Sequence, residues 1–254
     1  MSDLVQVGNV RLRYNHVQDI SGILEVYVLD VYDVRAVRGA SLVLDLGAGI
    51  GDFAVAAGKQ LEPRGKVLAI EPNPEDYQLL CDNIRANDLE NVVPLNCALG
   101  ETERALTFSF KGKSISTSVW TLDRLLNAAG LSLGSVRNEL IFLKIDVEGA
   151  EVEVLRSLYP MLRNVTTIAL ELHGTRQEVD LLLHPLGFAF ARITRREYLG
   201  NTCIFVLRHP RATWSLWHLF RSSPSYHGVK GIFGGIDISS SEELAVGRYE
   251  RRDI

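Results

Sequence analysis

The chain has 254 residues, a formal net charge of -4 and 46% hydrophobic residues, enough for one sizeable core with peripheral additions rather than two independent domains. A balance this close to neutral argues against charge-driven nucleic-acid binding. The cysteines Cys81, Cys97 and Cys203 show neither metal-ligand nor redox spacing, and there is no secretory leader pattern or apolar run of membrane-spanning length. A cytoplasmic protein with reduced thiols and no membrane contact is therefore expected.

Residues 4–14 carry Gly8-Asn9 between two β-prone runs and read as a hairpin. Ile20 to Tyr32 places Ile23, Leu24, Tyr27, Val28 and Val31 on one face of an amphipathic helix. Residues 1–40 thus form an N-terminal cap, which packs on the edge of a core or covers its cleft. Leu42 to Leu46 is a buried parallel strand that runs through Gly47, Ala48, Gly49, Ile50 and Gly51 into a helix starting near Phe53. Glycines there let the main chain take positive φ and approach a ligand closely; a tight turn without a ligand has the same look. A dinucleotide loop would place its third glycine at Asp52, and Asp45 and Asp52 would repel a pyrophosphate. S-adenosyl-L-methionine, with an ammonium, a sulfonium and no phosphate, suits the acids better.

The next strand, Lys66 to Ile70, ends in Glu71-Pro72-Asn73-Pro74. An acid about 20 residues past the glycine loop is where such folds hold ribose hydroxyls; the alternative is a surface Glu at the start of a helix. A helix over residues 74–87 buries Tyr77, Leu80, Cys81 and Ile84. A third strand over residues 92–96 brings Asn96, Cys97 and Ala98 toward the adenine edge. Leu106 to Phe110 is a short strand, Lys111 to Ser118 a polar loop, and Thr121 caps the following helix.

Leu140 to Ile145 supplies another strand, finishing at Asp146, with Glu148 and Glu151 in the first turn of the helix after it. Val165 to Leu172 ends in Glu171 and His173, and a helix over residues 177–186 leads to an antiparallel pair, Phe188–Ile193 with Thr202–Arg208. Strands and helices in alternation imply an α/β core over residues 41–208, with parallel strands, right-handed crossovers and helices on both faces. Residues 209–254 hold an aromatic helix from Trp214 to Phe220 and a polar tail. They pack on the core or serve as a substrate cover or a homo-oligomer contact.

Strand ends of open parallel sheets share one rim. Asp146, Glu148, Glu171 and His173 therefore face the same cleft as Asp45, Gly49 and Glu71. Three stretches, Leu44 to Phe53, Ala69 to Pro74, and Lys144-Ile145-Asp146-Val147-Glu148-Gly149-Ala150-Glu151, together resemble the FkbM family of S-adenosylmethionine-dependent methyltransferases. Asn96 to Gly100, Thr121 to Asp123 and Leu186 to Phe188 extend the resemblance, which spans roughly Gly22 to Phe205. It implies a class I methyltransferase (Rossmann-like) fold, a seven-stranded sheet with an antiparallel last strand. It also implies O-methylation of a hydroxylated small molecule such as a sugar.

Carried over to this chain, Asp45, Gly47 and Gly49 line the methionine part of the donor, and Ala48, Gly51, Asp52, Phe53 and Asp146 belong to the same donor-binding set. Glu71, Pro72 and Asn73 take the ribose, and Asn96, Cys97 and Ala98 sit by adenine. A hydroxyl needs a base beside the methyl group. Asp146 and His173, the latter neutral near pH 7, are the catalytic candidates, with Glu148 orienting the acceptor; a structural histidine is the competing reading. Asp146, Glu171 and His173 also suit Mg²⁺, but the set is too common to assign a metal. Rival readings are a tRNA methyltransferase, disfavoured by the acidic balance and the absence of an Asn-Pro-Pro-Tyr or Asp-Pro-Pro-Tyr motif after the fourth strand, a non-catalytic cofactor-binding module, and an oxidoreductase.

Overall fold

A computed structural model describes residues 2–110, 112–192 and 244–251. β1 (Asp3–Val7) and β2 (Val10–Tyr14) form the expected hairpin, turning at Gly8 with φ +60°. Asn83 and Asn87 tie it to the body, their side chains accepting from Arg13 N and Arg11 N at 2.6 and 3.0 Å and donating back to the same two residues' carbonyls. The amphipathic segment is α1 (Val17–Leu24), which continues as a π-helical turn, Glu25–Leu29, and stops at Asp30 with φ +49°.

The core then follows as β3 (Leu42–Leu46), α2 (Asp52–Gln60), β4 (Lys66–Ile70), α3 (Pro74–Ala86) and β5 (Val92–Leu95). Every residue of β3 is buried, as expected of a parallel strand covered on both faces. α3 opens with Pro74 in its first turn, and Asn73 caps it by accepting from Glu75 N at 3.1 Å. Of the four α3 residues expected to be buried, Leu80 and Ile84 are, whereas Tyr77 and Cys81 are half-buried.

β6 (Ala98–Leu99), β7 (Arg104–Phe110) and β8 (Lys113–Trp120) make a separate three-stranded sheet in the order β6-β8-β7. Most of the stretch expected as a polar loop is therefore strand: Ile115 and Val119 are buried while their neighbours face outward, an alternation that the serines and threonines disguise. α4 (Leu122–Ala128), α5 (Leu133–Val136), β9 (Ile141–Ile145), α6 (Glu151–Ser157), β10 (Val165–His173), α7 (Arg176–Leu183), β11 (Phe188–Arg192) and β12 (Leu244–Arg251) complete the described chain.

The main sheet runs β11-β12-β10-β9-β3-β4-β5, parallel except for β12, which is antiparallel to both neighbours. This is the seven-stranded sheet expected, with one correction. The strand pairing with β11 is Leu244–Arg251, so the core does not end at Arg208 and residues 244–251 are not a tail. That strand was hidden because its fully buried Tyr249 stands between the charged Arg248 and Glu250. Thr202–Arg208, Cys203 and the Trp214–Phe220 helix lie outside the described residues. Among the described residues, no helix is long and apolar enough to cross a membrane.

Candidate active site

The chain leaves β3 toward β4 and β5 on one side and returns to β9 on the other, and open α/β sheets bind ligands at such a reversal. At that point Gly47 N donates to Ile70 O at 3.0 Å and Asp146 N to Leu46 O at 2.9 Å. Gly47 has φ +77°, and a Cβ there would lie 1.8 Å from the carbonyl oxygen of Asp146, so only glycine fits. Gly51, φ +87°, starts α2 with Leu80 pressed against it. Gly49 donates its N–H to Glu71 Oε2 at 2.7 Å, while Asn73 N donates to Oε1 at 2.8 Å. Burial pushes the Glu71 carboxyl up to about 7, with those two hydrogen bonds opposing.

Beneath the loop lies a residue that the sequence reading did not single out. Lys144 Nζ donates to Gly47 O at 2.6 Å and sits 3.4 Å from Asp45 Oδ1 and 3.5 Å from Asp146 Oδ2. Asp45 and Lys144 are register partners on adjacent strands, 0% and 3% exposed. Burial pulls the Lys144 ammonium down, but Asp45, Asp146 and Asp52 more than offset it, and its pKa ends above the usual value. Burial raises the Asp45 carboxyl, against Lys144. A lone lysine inside the apolar run Ile141-Phe142-Leu143-Lys144-Ile145 was the available signal, since a charge buried on a two-sided strand needs a partner.

The other expected donor contacts divide. Asp52 is half-buried, its carboxylate accepting from Phe53 N at 2.8 Å, and burial pushes it up to about 7. Phe53 is a core residue, 0% exposed, edge-on to Tyr32 and stacked on Phe142 with ring centroids 5.7 and 5.9 Å away. Ala48 and Cys97 are likewise within apolar clusters, and burial pushes the Cys97 thiol up to about 12. Asn96 Nδ2 braces the turn after β4 by donating to Glu71 O at 2.8 Å and Pro72 O at 3.3 Å. Ala98 is half-buried at the start of β6.

The N-terminal cap both packs on the core and reaches the cleft. Tyr32 Oη donates to Asp146 Oδ2 at 3.3 Å and Tyr27 Oη to Asp52 O at 3.1 Å. Glu25 is pushed up to about 8 by burial and by the charges of Glu171, Asp146 and Asp52. None of these three stood out in the sequence, because their partners lie far along the chain.

On the other side of Asp146 stands a cluster from β10. Carboxylate oxygens of Asp146 and Glu171 and a ring nitrogen of His173 lie within 4.8 Å of one another. His173 Nδ1 pairs with Glu151 Oε1 at 2.8 Å, and its Nε2 is 3.4 Å from Glu148 Oε2 and 3.9 Å from Glu171 Oε1. Glu151 is fully buried and also accepts from Gly149 N at 2.9 Å and Thr175 Oγ1 at 2.8 Å. The Glu151 hydrogen bond lifts the His173 pKa to about 9, with burial opposing. The expectation of a neutral imidazole at pH 7 is thus corrected: Glu151 belongs to His173. Glu148 is corrected too, since it is exposed with φ +51°, in the turn before α6 rather than in its first turn. Glu171 is pushed up to about 7, first by burial and then by Asp146.

A seven-stranded sheet of this order, with a glycine loop after its central strand and an acid after the next, defines a class I S-adenosylmethionine-dependent methyltransferase. The chain belongs to the FkbM family, whose methyltransferase FkbM domain matches residues 45–198. It is 28% identical over 211 residues to methyltransferase sdnD of Sordaria araneosa, a match covering 66% of this chain and 81% of that one. It is 23% identical over 200 residues to hexuronic acid methyltransferase AglP of Haloferax volcanii, covering 68% and 81%. The solved methyltransferase FkbM of Methylobacillus flagellatus KT is 18% identical, with a TM-score of 0.41, over 62% of this chain and 41% of that one.

Proposed function

We propose that this methyltransferase acts on a hydroxyl oxygen of a small, sugar-like acceptor held over the ends of β9 and β10. The observation that carries the reading is the Asp146, Glu171 and His173 cluster, joined to the glycine loop through Lys144 and Gly47. One relative is named for a hexuronic acid, a sugar-derived acceptor that carries both hydroxyl and carboxylate oxygens.

The residues present fit S-adenosylmethionine. Gly49, with φ +53°, has open space where a Cβ would stand and leaves its main chain accessible to a ligand, and Asp45, Asp52 and Asp146 surround Lys144 with an excess of carboxylates, which suits an ammonium and a sulfonium. Gly47, Ala48, Gly49, Gly51 and Asp52 present main chain and charge to the methionine part, and Asp45 holds the loop from below through Lys144. Glu71, flanked by Pro72 and Asn73, keeps lone pairs for ribose hydroxyls beyond its two backbone hydrogen bonds. Asn96 and Ala98 border the adenine side. Phe53 and Cys97 support the site from the core.

The bound donor supplies an activated methyl group, whose bond to sulfur breaks, the electron pair staying on sulfur, as the new bond to oxygen forms. The chain aligns the acceptor and excludes water, with Tyr27 and Tyr32 closing the methionine end. The hydroxyl proton passes to a rim carboxylate, Asp146 standing nearest the loop. His173, fixed by Glu151, and Glu148 orient the acceptor's oxygens.

The test is incubation of the full chain with methyl-labelled donor and a panel of sugars, uronic acids, their deoxy analogues and tRNA. Label on a sugar oxygen, lost with the matching deoxy analogue, supports the reading. Label in tRNA alone, or donor binding with no transfer to any hydroxyl, overturns it.

A further inference from the structure

We propose that Glu25, on the N-terminal cap, is a donor-binding residue: its carboxylate takes the α-ammonium of the donor's methionine part and so ties the cap to the bound donor. The inference rests on the placing of the donor above and is independent of the acceptor.

Glu25 opens the π-helical turn Glu25–Leu29 that ends α1, and Val31 N donates to its carbonyl at 3.0 Å. Such turns take an extra residue into the hydrogen-bonded ring and are frequent where a helix presents a functional side chain. Leu24 and Val26 on either side are 4% exposed, so the turn is anchored in the core while Glu25 itself stays half-buried. Three residues earlier, Gly22 lies so close to α2 that a Cβ there would meet Asp52 Oδ2. Residues three apart are neighbours on a helix surface, so Glu25 and Asp52 bring two carboxylates to the methionine end of the cleft.

What these carboxylates lack is a cation. Among the described residues neither forms an ion pair; Ser21 Oγ donates to Glu25 Oε1 at 3.5 Å and Phe53 N to Asp52 Oδ1 at 2.8 Å. The charge of Lys144 reaches Glu25, but its ammonium is already held by Gly47 O, Asp45 and Asp146. Glu25 instead faces the charges of Glu171, Asp146 and Asp52. A half-buried carboxylate set against three others weakens the free protein, a cost that binding sites carry and that a residue kept for folding does not. A ligand ammonium removes it, bringing both the missing charge and N–H donors; a sulfonium has no N–H to give. Tyr27 and Tyr32 of the same cap reach Asp52 O and Asp146 Oδ2, so the cap already stands over the acids beside which the methionine part is placed.

Titration calorimetry on the full chain compares three ligands. S-adenosylmethionine carries ammonium and sulfonium, S-adenosylhomocysteine the ammonium alone, and methylthioadenosine neither. Glu25→Gln should weaken the first two alike, by about 10- to 100-fold, and leave the third unchanged. Glu103→Gln, the same change of charge at a residue paired with Arg124, should alter none. Without ligand, Glu25→Gln should unfold at a urea midpoint no lower than that of the unaltered chain. Hydrogen exchange needs no variant: S-adenosylhomocysteine should slow the amides of residues 17–32, and methylthioadenosine should not. A lowered midpoint with donor affinity unchanged marks Glu25 as structural and overturns the assignment. Weakening confined to S-adenosylmethionine overturns it by placing Glu25 at the sulfonium, and equal protection of residues 17–32 by both compounds overturns it as well. Donor affinity unchanged by Glu25→Gln removes Glu25 from a donor site that stands; an unaltered chain that binds none of the three removes the site itself.

Discussion

The two halves of the cleft, the one proposed to hold the donor and the one proposed to hold the acceptor, are built from different materials. The donor half, around Gly47 to Asp52 and Glu71, is mostly backbone: Gly47, Ala48 and Gly51 are tied by main-chain hydrogen bonds, and Glu71 is held by two N–H groups. The acceptor half, around Asp146 to Glu151 and Glu171 to His173, is a net of side chains with Glu148, Gly149 and Ala150 exposed. A backbone cradle suits a ligand that never changes, whereas side chains on a fixed rim tune recognition of one particular acceptor. Lys144 joins the two halves, through Gly47 O on one side and Asp146 on the other.

Breaking that shared group should have the largest effect. Lys144→Met would strand the buried Asp45, and a loss of about 3–5 kcal/mol in urea unfolding is expected. The deficit should shrink toward pH 5, because a protonated Asp45 no longer needs a counter-charge; a deficit independent of pH would show that Asp45 is not the cause. His173→Ala should separate the halves, lowering kcat by about 100-fold while calorimetry finds donor affinity unchanged. Weakened donor binding in that variant would place His173 in the donor half instead.

The pH dependence of the donor half turns on Glu71. Its carboxyl, ordinarily 4.5 and raised by burial to about 7 in the fold, keeps a proton that the unfolded chain releases. Its contribution to stability is therefore full below 4.5 and lost as pH rises through about 7. Donor affinity should run the opposite way, strengthening about tenfold between pH 6 and 8 as the ionised carboxylate becomes the better acceptor for ribose hydroxyls. Glu71→Gln should flatten that profile. Smallest in effect, Tyr32→Phe removes the hydroxyl on Asp146 and should cost about 1 kcal/mol of stability, readable as a shift in the urea midpoint.

The same division explains what could be read from the amino acids. The donor half is written locally: glycines at 47, 49 and 51 followed by an acid at 71 are backbone instructions with a fixed spacing, and β3, β4 and the start of α3 fell where expected. The acceptor half is written in pairs that only folding brings together. Glu151 meets His173 across 22 positions and Tyr32 meets Asp146 across 114, so neither the charge on His173 nor the closure by Tyr32 follows from local pattern. Lys144 was visible but looked like a motif letter until Asp45 appeared beside it. β8 was masked by serine and threonine, and β12 by charged residues on its outward positions.

The position of β12 bears on the order in which the protein comes into being. β3, β4 and β5 pair with helices between them and can assemble soon after they leave the ribosome, since their contacts are comparatively local. β10 and β11 are separated in the sheet by the last of the described strands, which follows them in the chain beyond residues 193–243. Until Leu244–Arg251 slides between them, the edge of β10 that carries Glu171 and His173 is left unpaired, an invitation to mispairing. A nascent chain can therefore own a donor site before it owns a finished acceptor site. Pulse proteolysis of chains ending at residue 243 should find β3 to β5 protected while β10 and β11 are cut.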